Sequence, residues 1–238
     1  MKVRNIVLFV IVLLFSACKK NKEINTRIVS VAPFDTVVIN SSFNVNLVED
    51  SVYYISIHGP VKTVENINYE VVNRELRLQN NTKNKWLKPT TNKVDITIHS
   101  LPLAKVTVNA TCNIKTQTPI TSDEFGIALK SKANEANLQL NCKKVGYWCD
   151  FLTGGKLTMS GNTDRLYMKN NALMSVDAKD LIIQDAYVQN SSHGNLELKV
   201  INALTYTVSG PGDIVLYPPY PSQINAIEIS STGRLLKQ

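Results

Sequence analysis

The second half of this 238-residue chain repeats itself, and the repetition restricts the fold more than any other feature of the sequence. Six apolar residues each close a polar or Gly-rich turn: Ile114, Leu138, Leu157, Met174, Leu196 and Ile214. Two positions before them stand Cys112, Ala136, Gly155, Ala172, Gly194 and Gly212, all small. Two positions after them come Thr116, Leu140, Met159, Val176, Leu198 and Leu216, apolar in every case but the first. The anchors lie 24, 19, 17, 22 and 18 residues apart, 20 on average. A repeat of this length, made of short strands and tight turns, marks a solenoid whose coils bury their apolar faces on one another. Alternating residues such as Val106/Val108, Leu166/Met168 and Tyr206/Val208 then point into one shared core. The small residue suits a corner where stacked backbones approach closely. Lys130 and Lys132 break the pattern on the second rung, which demands a register shift there or a face open to solvent.

Gly210-Pro211-Gly212-Asp213 is the sixth copy of this corner. A phosphate-binding loop would follow its glycines with Lys, Ser/Thr and a helix. Here Ile214-Val215-Leu216-Tyr217 has the character of a strand, stopped by Pro218-Pro219. The first half is also β-prone, with runs at Val37–Ile39, Phe43–Leu47, Tyr53–Ile57, Ile67–Val71, Leu76–Leu78 and Val94–Ile98. No long stretch has helical period. The expectation is an all-β protein with one single-stranded, β-helix or solenoid-like domain over residues 33–238, built of short strands and small-residue corners.

The N-terminus carries a different signal. Lys2 and Arg4 precede an apolar run from Ile6 to Phe15, which is too short to span a bilayer, and Ser16-Ala17-Cys18 follows at once. Residues 1–17 therefore have the pattern of a bacterial lipoprotein signal, with Cys18 as the lipid attachment site. Residues 18–32 become the lipidated N-terminus and tether, and the membrane becomes a partner through that anchor. Loss of Lys2 and Arg4 lowers the formal charge from +7 to +5. There is no basic run interleaved with aromatics, so nucleic acid is not an expected partner. Lys19–Glu23 lacks an acidic cluster for surface export, and the membrane face stays open between periplasm and exterior.

Three further cysteines remain, Cys112, Cys142 and Cys149. An oxidising compartment allows at most one bridge among them, and Cys142 with Cys149 is the expected pair. No Cys/His spacing suggests a metal, and His58, His99 and His193 are isolated. No cofactor is expected.

The opening Phe34-Asp35-Thr36-Val37-Val38-Ile39-Asn40-Ser41-Ser42-Phe43-Asn44-Val45-Asn46-Leu47, the small-residue turns and Ser209-Gly210-Pro211-Gly212-Asp213-Ile214 together resemble the bacterial head-GIN domain family of auto-transporter adhesins. The likeness runs from about residue 30 to the C-terminus. It implies a β-helical, lipid-anchored envelope protein without a catalytic site. The chain differs in using Ala or Cys at several corners and in the basic loop Lys83–Pro89 with Trp86.

Three functional readings follow. The leading one is a non-enzymatic envelope lipoprotein, outer-membrane in expectation, whose solenoid surface binds a glycan or a protein. Its candidate contacts are Trp86 with Lys83, Lys85 and Lys88, and Tyr147 with Trp148. In the structural alternative Trp86 shields an open end of the core. A second reading is a scaffold that associates with copies of itself through exposed strand edges, with Arg234 and Lys237 blunting the C-terminal one. A third is a polysaccharide-active β-helix enzyme. It would draw on Asp177, Lys179, Asp180 and Asp185, or on Asp150 beside Trp148 and Tyr147.

Overall fold

The computed structural model describes residues 23–83, 94–149 and 153–238. Apart from a single helical turn, α1 (Val61–Val64), the described elements are strands. In chain order they are β1 (Ile24–Ser30), β2 (Thr36–Ile39), β3 (Asn44–Glu49), β4 (Tyr54–Pro60), β5 (Ile67–Val72), β6 (Glu75–Asn80), β7 (Asp95–Ser100) and β8 (Lys105–Val108). They continue as β9 (Asn113–Thr116), β10 (Glu124–Leu129), β11 (Asn134–Trp148), β12 (Gly154–Ser192), β13 (Leu196–Val208), β14 (Ile214–Leu216), β15 (Gln223–Ile229) and β16 (Leu235–Lys237). All belong to one sheet wound into a β-solenoid of about six turns.

Two parallel ladders form the walls. The first runs through β7, β3, β9, the front of β11, β12, the front of β13, β14 and β16. The second runs through β6, β2, β8, β10, the back of β11, β12, the back of β13 and β15. Strand β12 serves two coils in succession, pairing with β11 through residues 155–169 and with β13 through residues 176–190. Side chains alternate in and out along every wall. Val37, Val106, Ile127, Tyr147 and Met168 stack one coil on the next inside the second ladder, and Ile114, Ala136 and Leu157 do so inside the first. Burying each large aliphatic chain contributes about 1.5–3 kcal/mol, so every added coil is stabilised by the core it extends.

The repeat is real, but its pairing differs from the sequence alignment. Gly155 pairs with Asn134, not Ala136, and Leu196 pairs with Val176, not Met174. Each offset is two residues. An even shift keeps every apolar residue facing inward, so a hydrophobic pattern fixes which face a residue takes but not its partner in the next coil. The second rung resolves the same way. Phe125, Ile127 and Leu129 of β10 fill its core, while Lys130 and Lys132 fall in the exposed turn that follows.

The corners explain the small residues. A Cβ added at Gly194 would strike the Met174 carbonyl, at Gly212 the Gly194 carbonyl and at Gly233 the Gly212 carbonyl. Gly155 has φ +123° and lies against the Asn134 backbone. Ala172 also holds a left-handed φ of 62°. Inside the same corner sits a polar ladder that satisfies backbone groups the turns leave over. Asn170 donates to the Met174 carbonyl (3.0 Å) and to Asn190 Oδ1 (3.3 Å), and Asn190 donates to the Gly212 carbonyl (2.9 Å). Asp213 of the Gly-Pro-Gly-Asp turn accepts from the Arg234 backbone N–H (2.8 Å), so this turn is a corner bracing the coil beyond it.

The two ends differ. At the N-terminal end β4 and β1 continue the first ladder antiparallel, and β5 folds antiparallel onto β6. Val64 of α1 and Ile67 are buried there. Strand β1 corrects the expected tether: residues 24–30 pair along their whole length with β4. At the C-terminal end β15 pairs with β13 alone, and all seven of its residues are exposed.

Gly155→Ala forces a side chain into a Gly-only backbone region and into the Asn134 backbone, and should cost at least about 1–3 kcal/mol. Ala172→Gly relaxes a left-handed alanine and should leave the urea midpoint unchanged or raised. Equilibrium denaturation of the two variants checks the pair.

Candidate functional site

Three aromatic rings stand in a row on the outside of the second ladder. Gly126 of β10 pairs with Gly146 of β11, and Gly146 pairs with Tyr167 of β12. Trp148, two residues beyond Gly146 on the same outer face, lays its indole back across both glycines. A Cβ on Gly126 would come 2.8 Å from that ring, and one on Gly146 only 2.2 Å from it. The two glycines thus make a flat seat that any side chain would remove. The next ring is Tyr167. Tyr187 follows twenty residues on, the step that also joins Asn170 to Asn190. Trp148, Tyr167 and Tyr187 are 44%, 45% and 37% exposed. With coils about 4.8 Å apart, the row spans on the order of 15 Å along the solenoid axis.

Polar groups border the row on both sides. On one, Glu124 and Lys144 form an ion pair, Arg165 is in register with Lys144, and Asp185 follows one coil later. On the other stand Lys169 and Gln189. The Gln189 amide donates to the Tyr187 hydroxyl (3.2 Å) and fixes that ring's tip.

The sequence pointed to Trp148 and Tyr147 together, and the structure separates them. Successive strand residues face opposite ways, so the pleat that turns Trp148 outward turns Tyr147 inward. Tyr147 is fully buried and donates to Asn170 Oδ1 (3.3 Å), and burial pushes its phenol far above the usual range. Tyr147 is part of the corner ladder and is withdrawn as a ligand contact. Tyr167 and Tyr187 were missed. Their signal was available: each is an outward residue flanked by two inward ones, and the same position recurs one coil later. Trp86, Lys85, Lys88, Cys18 and Asp150 lie outside the described residues. Lys83, at the start of that loop, is exposed.

Of the four residues considered for catalysis, the structure brings together Asp177 and Lys179 and separates Asp180 and Asp185 from them. Asp177 and Lys179 face outward on the first ladder, Asp180 is exposed at the following bend, and Asp185 is on the second ladder beside the aromatic row. Asp177 binds Lys156 (3.1 Å) and Lys179 (3.2 Å). Partial burial opposes its ionisation, but the two ammonium groups outweigh this and hold its carboxyl below the usual range. Glu197 takes Lys179 (3.5 Å) and the Tyr217 hydroxyl (3.1 Å). Both carboxylates are therefore partnered by groups on neighbouring coils, an arrangement that ties coils together. Among the described residues no group of His, Cys, Asp and Glu could hold a metal ion, and no helix is long and apolar enough to cross a membrane.

The expected Cys142–Cys149 bridge is corrected as well. None of the three described cysteines is in a disulfide, and all three are buried. Residues 144–148 run extended between Cys142 and Cys149, and this alone spans on the order of 15 Å, against the roughly 7 Å that a disulfide can bridge. Cys142 Sγ donates to the Ile120 carbonyl (3.2 Å), while Cys149 Sγ lies against Thr153 and the Asn171 carbonyl. Burial pushes the Cys112 thiol up to about 11, so it stays protonated and inert.

The family model described as "Putative auto-transporter adhesin, head GIN domain" matches residues 33–218, and the chain belongs to that family. In structure it is similar to a putative adhesin from Bacteroides fragilis, with TM-score 0.82 and 17% identity over 92% of this chain and 98% of that one. A putative lipid binding protein from Parabacteroides distasonis aligns at TM-score 0.64 and 15% identity, with the same coverage of 92% and 98%. A putative adhesin from the same organism aligns at TM-score 0.63 and 17% identity, again over 92% and 98%. Identities this low establish the shared solenoid fold. Among curated proteins none matches the sequence.

Tyr147→Phe leaves Asn170 Oδ1 without its buried donor and should cost about 1–3 kcal/mol. Tyr167→Ala and Tyr187→Ala remove only outward rings and should stay within about 0.5 kcal/mol of the parent. Urea midpoints of the three variants separate inner from outer tyrosines.

Proposed function

We propose that this protein is a non-enzymatic adhesin of the cell envelope, anchored through a lipid on Cys18, and that the Trp148–Tyr167–Tyr187 row is its recognition face. The observation that carries this reading is the seat of Gly126 and Gly146 beneath Trp148. Glycine is a poor residue for a strand interior, and an exposed indole gains little by folding over two of them. Together they position a flat aromatic surface in line with two further rings. An exposed apolar feature rimmed by polar side chains is the usual mark of a contact surface. Membership of an adhesin family and the adhesin-like solved structures support the same conclusion, and the signal-like N-terminus supplies the route to the envelope. A rigid solenoid suits this role because its walls present one face over a long distance without ordering cost on binding.

The test compares cells carrying the native protein, a Cys18→Ala variant and a Trp148→Ala/Tyr167→Ala/Tyr187→Ala variant. Native cells should lose the protein to external protease and should adhere to a target matrix. The Cys18 variant should leave the membrane fraction, and the ring variant should stay anchored without adhering. Protection from protease until the outer membrane is opened would overturn the adhesin reading.

One observation favours self-association as a second reading. Strand β15 presents Ile224, Ile227 and Ile229 at 39%, 55% and 53% exposure on an edge paired from one side only. Such an edge is a template for another strand. If it is used, elution volume will fall as protein concentration rises, and Ile227→Lys will abolish that dependence.

A further inference from the structure

We propose that the aromatic row is a track for a neutral glycan chain, lying along the solenoid axis with successive sugar rings on Trp148, Tyr167 and Tyr187. This rests on the reading of the row as the recognition face and names what that face recognises. Three features select the ligand. The first is spacing. Tyr167 and Tyr187 stand on successive coils and the Trp148 indole covers the two coils before them, so at a coil pitch of about 4.8 Å the three rings are spread along the axis on the scale of a short extended oligosaccharide.

The second is shape. The row is one ring wide, and the indole lies over its two glycines with Trp148 left 44% exposed. A pyranose has an apolar C–H face of the same dimensions and a rim of hydroxyls. A protein partner would need a broader, water-excluding patch around such anchors, whereas here charged and amide groups begin immediately beside them.

The third is charge. The border carries Lys144 with Glu124 on one side of the row, and Arg165 followed by Asp185 in the same column. Two anions and two cations share that column and sum to zero, with Lys169 across the row, so the border supplies donors and acceptors to sugar hydroxyls with little net field for a polyanion. The charge pattern thus complements an uncharged, polyhydroxylated chain. Gln189, already donating to the Tyr187 hydroxyl, provides a further amide at the same edge.

The purified full chain is titrated with a panel of neutral hexaoses of gluco, manno, galacto and xylo configuration, and with the matching monosaccharides and hexuronate oligomers. At least one neutral hexaose should bind, with its monosaccharide at least about a hundredfold weaker. Tyr167→Ala and Tyr187→Ala should each weaken that hexaose about tenfold, and Trp148→Phe should weaken it less than Trp148→Ala. No binding by any neutral hexaose, equal binding by the ring variants, or preference for the hexuronates would each overturn the proposal. Adhesion of cells to a periodate-oxidised matrix separates this from the adhesin reading. If ring-dependent adhesion survives oxidation, the partner is a protein and only the glycan inference fails. If native cells adhere to neither matrix, the adhesin reading fails, and the titration still decides the glycan one.

Discussion

The approach of one coil's backbone to the next at the corners governs the molecule. Parallel strands hydrogen-bond at a fixed pitch, and the chain must turn within that pitch before starting its next coil. At Gly194, Gly212 and Gly233 a side chain would occupy the volume of the preceding coil's carbonyl. Beneath those corners the Asn170–Asn190 ladder takes up carbonyls that tight turns leave unpaired. Without either provision the coils would separate, the ladder bonds would lengthen, and the stacked core between the walls would lose its closure.

This geometry divides the residues of each wall into two kinds with different freedom. Inward positions are committed to the core, as with the stack from Val37 to Met168. Outward positions are constrained only by their neighbours one coil above and below. The protein uses that freedom in two ways. On the first ladder it places Lys156, Asp177, Lys179 and Glu197 so that each charge meets an opposite one. On the second ladder it places aromatic rings, and beneath one of them it gives up side chains to make a seat. The first arrangement satisfies itself internally, whereas the second leaves the rings partly exposed, which is why we propose binding there.

The ends complete the logic of a stacked object. A solenoid has two terminal coils, each with a core and an edge to protect. Antiparallel strands and the turn of α1 cover the first, and β1 is recruited from what had the look of a linker. Its sequence, Ile24-Asn25-Thr26-Arg27-Ile28-Val29-Ser30, has no strong alternation, and its outward Ile24 and Ile28 remain exposed. Strand β1 is held by backbone pairing with β4 more than by burial, and such pairing leaves little trace in a hydrophobic pattern. The last coil keeps a longer exposed edge at β15.

The sequence by itself determined that the chain is all-β, that its second half is a coiled repeat, and that Gly210–Asp213 is a corner and not a ligand loop. Alternation and the recurrence of small residues are local, and a period-two pattern survives any even slip. Trp148 was legible as a candidate only as one of an adjacent aromatic pair with Tyr147, and the pairing of coils decided which of the two faces outward. Only the tertiary structure decided which residue rests on which. It moved Gly155 from Ala136 to Asn134, put Tyr147 into the core, kept Cys142 and Cys149 apart, and parted Asp185 from Asp177. It also brought Tyr167 and Tyr187 into line with Trp148. Coils of unequal length accumulate offsets at their corners, and the columns that make a surface exist only after those offsets are summed in three dimensions.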